Sequence, residues 1–160
     1  MNTLIVYSSK YDFTKERVLE IANSLKFDVK VVNINKEKPP GLEAFDTVIL
    51  GGSVFMGQIN KALKNYCQEN ETTLNSKKLA LFLSCGLPDN VDTHLSNAYP
   101  KSLLDHASVK VNLGGELRLD KMSFGDKMIT KMMIKATEKE GGQLPTANPS
   151  AIEELVRTLN

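Results

Sequence analysis

Cysteine is scarce in this chain. Cys67 and Cys85 are the only two, far apart and in none of the close spacings that a metal centre or a disulfide framework needs. Charge of one sign is also lacking: 20 basic residues stand against 19 acidic ones, and the net charge of +1 gives no electrostatic argument for nucleic acid. No apolar run approaches the ~20 residues of a membrane span. The start of the chain has no basic region, apolar core and cleavage site in the order of an export signal, so cytoplasmic residence is expected. Two glycine patterns are missing as well. Without Gly-x-x-x-x-Gly-Lys the chain does not read as a nucleoside triphosphatase, and without Gly-x-Gly-x-x-Gly after the first strand it does not read as a dinucleotide binder. There is no internal repeat and no low-complexity tract.

What is present is alternation. Short apolar runs at 3–8, 28–34, 47–52, 79–84 and 109–118 read as strands, and helical spacing recurs at 14–26, 59–70, 91–106, 121–139 and 149–159. Strand and helix in turn, joined by short loops, predict an α/β fold, a parallel sheet covered on both faces. At 160 residues and 41% hydrophobic content one well-cored domain over 1–160 is expected. The economical architecture is a three-layer sandwich: a five-stranded sheet of order 2-1-3-4-5 with helices on both faces, and a helical insert at about 119–145 before the last helix. In that order the ligand crevice lies outside the carboxyl ends of the strands, where strands one and three diverge.

Three loops therefore carry the chemistry. The first, in YSSKYDFT at 7–14, follows a buried strand and leads into a helix. Such a turn gathers unpaired N–H groups and the positive end of a helix dipole, which suits an anion, most often a phosphate. Ser8, Ser9 and Thr14 add hydroxyls; the bland alternative is that Thr14 or Asp12 merely caps the helix. The second loop, SVFMGQ at 53–58, offers Phe55 and Met56 to sandwich a flat heteroaromatic ring, and a peptide at Gly57 free to turn toward a ring nitrogen. Packing of Phe55 and Met56 in the core is the competing account. The third, CGLPDN at 85–90, brings Gly86 and backbone donors for the polar edge of a ring. Cys85 is not read as a nucleophile, since no basic neighbour activates it. A phosphoacceptor receiver would need acidic residues at the ends of strands one and three, where this chain has SS and GGS.

Together these loops resemble the flavodoxin-like family. The first is similar to its hydroxyl-rich FMN-phosphate loop, and Met56-Gly57 to the Met-Gly turn beside the flavin N5 of short-chain flavodoxins. Within the family, YSSKYDFTKE, GGSVFMGQINKAL and MSFGDKMITKMMIK look more like the menaquinone-dependent protoporphyrinogen oxidase branch than like the soluble shuttles. The resemblance implies FMN as cofactor. Its phosphate would be held by Ser8, Ser9, Lys10, Tyr11, Asp12, Phe13 and Thr14, and its ring by Ser53, Val54, Phe55, Met56, Gly57 and Gln58 with Ser84, Cys85, Gly86, Leu87 and Asp89. Tyr99 is a further stacking candidate. No residue stands out as a general acid or base, and no metal site is expected.

One departure from the family pattern is Asp12, which stands where the phosphate loop commonly has glycine. Either Asp12 takes the left-handed conformation that Asp tolerates and points outward, or its carboxylate weakens FMN binding. Flavodoxin shuttles are as a family strongly acidic, whereas this chain is nearly neutral, so its flavin is expected to be easier to reduce. The resemblance thus implies oxidation of a small organic or porphyrinogen-type substrate with a quinone-type acceptor or a redox partner protein. A simple electron shuttle, and an interaction module that has lost FMN, stay open. In the segment 121–139, Met128, Ile129, Met132, Met133 and Ala136 recur at helical spacing while Lys127, Lys131 and Lys135 make a stripe on another face. That segment reads as a core-packing helix, a Met-rich partner surface, or a basic amphipathic helix resting peripherally on the inner face of the membrane. Arg118 beside it could pair with a substrate carboxylate.

Overall fold

The computed structural model of the chain describes residues 2–9, 12–54, 58–85, 91–115, 123–139 and 147–160. Five strands, β1 (Asn2–Ser8), β2 (Asp28–Asn33), β3 (Thr47–Ser53), β4 (Lys78–Ser84) and β5 (Val109–Asn112), form one sheet in the order β2-β1-β3-β4-β5. Every pairing is parallel. The helices among the described residues are α1 (Asp12–Ser24), α2 (Lys61–Glu69), α3 (Glu71–Leu74), α4 (Val91–Ala98), α5 (Lys101–His106), α6 (Phe124–Lys139) and α7 (Pro149–Leu159). The doubly wound order expected from the alternation is thus the order found.

Side chains alternate across a strand, so each apolar run feeds two cores. Leu4, Val6, Val48, Leu50, Leu79, Leu81 and Leu83 pack under Leu63, Cys67, Leu74, Leu95 and Leu103 of the helices α2 to α5. Ile5, Tyr7, Ile49, Ala80, Phe82, Val109 and Val111 pack under Val18 and Ile21 of α1 and Ile152, Leu155 and Leu159 of α7.

Boundaries moved where local chemistry intervenes. The helix expected at 91–106 is two helices, because Pro100 has no N–H to donate and bars the helical conformation before it. The helix expected from residue 59 begins at Lys61, since Asn60 caps it by accepting a 2.8 Å hydrogen bond from the Ala62 N–H. The strand expected at 109–118 ends at Asn112, where the chain turns through Gly114 at φ 80°, a left-handed conformation that suits glycine. Gly114 then bridges to Ala147, so both stems of the expected insert meet beside β5.

Helix α6 lies outside both cores, which sets aside the core-packing reading of its methionines. Among its described side chains the buried ones are Asp126 and Thr130, one turn apart on one face, while Phe124 is 80% exposed, Met128 51% and Met132 69%. Lys131, Lys135 and Lys139 are exposed too and lie beside that Phe-Met stripe, not on a separate face. A sequence pattern shows which residues share a face, but not which face the rest of the molecule covers.

Candidate functional site

Strand β1 delivers Ser8 and Ser9 to the start of α1. The helix starts at Asp12, two residues before the expected position, so Thr14 sits inside its first turn and is buried. Asp12 is exposed and already helical, which removes the left-handed reading; a carboxylate in a first turn is favoured by the helix dipole. Phe13 is buried beneath the Arg17 guanidinium, 5.4 Å from its ring centre, and Arg17 Nε lies 3.4 Å from the Glu20 carboxylate. The Asn35 side chain donates to the Ser9 carbonyl at 3.4 Å and ties this turn to the segment after β2. Lys10 and Tyr11 lie outside the described residues.

The strand ends beside this turn are built from small residues in register: Ser8 opposite Gly52, and Ser53 opposite Ser84. A Cβ on Gly52 would stand 2.3 Å from Ser8 Oγ and 3.2 Å from Leu63 Cδ2, so only glycine lets the Ser8 hydroxyl sit there. The hydroxyls of Ser8 and Ser84 are both buried and have no hydrogen-bond partner among the described residues. Buried polar groups are nearly always paired, so each orphan marks a place where a ligand or an ordered group completes the set; β3 lies between the two, and strand alternation puts Ser8 on the α2–α5 face of the sheet and Ser84 on the α1–α7 face. The Val54 N–H donates to the Ser84 carbonyl at 3.0 Å and closes β3 onto β4. Ser53 and Val54 are half-buried and Gln58 is exposed; Phe55, Met56 and Gly57 lie outside the described residues.

Beyond Ser84, Cys85 is buried, and Gly86, Leu87 and Asp89 fall outside the described residues. Its peptide is gripped by a residue that the sequence did not flag. Asn112 accepts the Cys85 N–H at 2.9 Å and donates its amide to the Cys85 carbonyl at 2.9 Å. Nothing local in VKVN signals this partnership, which depends on β5 lying next to β4.

One expectation changes. Tyr99 is not a stacking surface: it is buried in the core under α4 and α5, and its hydroxyl donates to the Phe82 carbonyl at 2.7 Å. The Cys67 thiol is no nucleophile, because burial pushes its pKa from 9.0 up to about 12. Arg118 lies outside the described residues. Groups of three or more metal-ligating side chains are absent among the described residues.

Strands in a sheet are ~4.8 Å apart, so the ends of β1, β3 and β4 span about 10 Å. The crevice can therefore take an elongated ligand, with an anion at the N-terminus of α1 and a flat group reaching toward Cys85.

Comparison with known proteins agrees with this fold. A family model described as a flavodoxin domain matches residues 4–142. Protoporphyrinogen IX dehydrogenase (quinone) of Escherichia coli K12 is 26% identical over 156 residues, covering 91% of this chain and 84% of the relative. Among solved structures, the flavodoxin of Streptococcus pneumonia TIGR4 superposes with a TM-score of 0.58 at 14% identity, covering 99% of this chain and 97% of the other. Rubredoxin oxygen:oxidoreductase of Desulfovibrio gigas superposes at 0.54 with 16% identity; this chain spans 37% of its length and is itself covered to 99%. The chain belongs to the flavodoxin domain family.

Proposed function

We propose that the chain is one flavodoxin-like domain, with 119–145 as its insert, that binds one FMN non-covalently and serves as a flavin redox protein. The observation that carries this reading is the orphaned buried hydroxyl of Ser8 at the end of β1, the strand that leads into the first turn of α1. The N–H groups of that turn, with Ser9 and Thr14, would hold the phosphate. The segment 53–58 would meet the ring face, and 84–89 its polar edge. FMN when bound supplies the electron-transfer chemistry; the protein supplies position and electrostatics. A net charge of +1 does not repel an anionic reduced flavin as an acidic shuttle would, which favours an organic substrate as electron donor over delivery of low-potential electrons. The name of the E. coli relative supports a porphyrinogen-type substrate and a quinone-type acceptor for this chain too.

Helix α6 fits a peripheral contact with an anionic membrane from the cytoplasmic side. Its outward Phe124, Met128 and Met132 would enter the headgroup boundary while Lys131, Lys135 and Lys139 meet the lipid charge. No described helix is long and apolar enough to cross a membrane. A second reading, an interaction module without flavin, rests on the Asp12 carboxylate, which would repel a phosphate next to it.

An absorption spectrum of the purified protein, repeated after adding FMN and removing the excess, separates the two. A bound-flavin spectrum is expected. A colourless protein that retains no FMN overturns the flavin reading in favour of the module.

A further inference from the structure

We infer that Asn112 is the positioning residue for the ring end of the cofactor site, an inference that rests on the FMN reading above. In a parallel sheet the pairing of β4 with β5 stops at Leu83 opposite Asn112, followed by one last bond from the Leu113 N–H to the Leu83 carbonyl. The chain then turns away through Gly114. Cys85, one residue past the end of β4, lies beyond that backbone pairing.

Asn112 fills that gap with its side chain. A carboxamide carries a donor and an acceptor in one plane, as a peptide does, so it can pair with both polar groups of Cys85 at once. It does so with two bonds of 2.9 Å. The same Oδ1 also accepts the Gly114 N–H at 3.0 Å, which fixes the rotamer. The backbone of Asn112 is pinned in turn: the Asn148 amide donates to its carbonyl at 3.0 Å, and the Asn148 N–H donates to Leu113 at 3.0 Å. Asn112 therefore sets where Cys85 stands relative to the strand ends. It lies three strands from the phosphate turn, with β4 and β3 between. Its effect should fall on the flavin ring alone.

The test compares FMN with riboflavin, which has the same ring and no phosphate. Both are titrated by fluorescence quenching into the wild type, Asn112→Asp, Asn112→Ala and Thr14→Ala, and the midpoint potential of the bound flavin is measured in each. Asn112→Asp keeps the shape and the accepting oxygen but sets a second oxygen against the Cys85 carbonyl. It should raise Kd about tenfold for FMN and riboflavin alike and shift the potential. Thr14→Ala should weaken FMN and leave riboflavin unchanged. A merely structural Asn112 would lower the melting temperature and leave riboflavin affinity and potential as they were. That result, with both ligands bound within twofold of wild type, overturns the inference. Should Asn112→Ala fail to fold, Asn112→Asp decides. A wild type that takes neither flavin overturns the FMN reading and this inference together, whereas a wild type that binds and Asn112 variants that bind equally overturn this inference alone.

Discussion

The ring of Phe82 occupies the space in which a side chain on Gly51 would begin: a Cβ there would stand 2.3–2.4 Å from three of its ring carbons. The two residues are also register partners on β3 and β4, and Phe82 is wholly buried, so the ring cannot swing aside. Gly51→Ala should accordingly destabilise the protein by roughly 1–3 kcal/mol or more through overpacking. In Gly51→Ala/Phe82→Leu the smaller side chain should relieve the clash, giving a loss smaller than the sum of the single losses. Urea unfolding of all four proteins measures this, and strictly additive losses would show that the ring does not restrict Gly51.

Tyr99→Phe removes the hydroxyl that reaches the Phe82 carbonyl at 2.7 Å inside the core. A loss of about 1 kcal/mol in stability is expected for a buried hydrogen bond. Because the phenol is enclosed under α4 and α5, FMN affinity and the flavin absorption band should not move. A change in either would return Tyr99 to the ligand site.

Alkaline stability should report Cys67. Its ordinary thiol value is 9.0 and burial raises it to about 12 in the fold, so between these values the unfolded chain has lost a proton that the folded chain keeps. Stability from the neutral thiol is then fully present below pH 9 and is lost as pH rises toward 12, at about 1.4 kcal/mol per pH unit for one proton. Tyr66, raised by burial from 10.0 to about 12, adds to the same decline. The urea midpoint of wild type should fall more steeply between pH 8.5 and 11 than that of Cys67→Ala. Parallel slopes in the two proteins would contradict the assignment.

The outward face of α6 makes a prediction about lipid. Wild-type protein should float with vesicles containing anionic lipid, and Phe124→Ser/Met128→Ser/Met132→Ser should remain in the soluble fraction. Since these side chains are exposed, each substitution should change stability by no more than about 0.5 kcal/mol. Absence of flotation of the intact protein on anionic vesicles would remove the membrane contact.

The alternation of apolar runs with helical spacing determined the layered α/β fold, and SS and GGS at the strand ends pointed to the crevice proposed for a ligand. These signals are local: a buried parallel strand must be apolar on both faces, and a close backbone approach demands small residues. Tertiary structure decided what local pattern leaves open. It put the phenol of Tyr99 inside the core instead of at the crevice, because the break at Pro100 turns the chain there. It turned Asp126 and Thr130 of α6 inward and left Phe124, Met128 and Met132 facing out, since periodicity defines faces without saying which is covered. It also joined Asn112 to Cys85, 27 residues apart, a pairing that exists only because β5 lies beside β4.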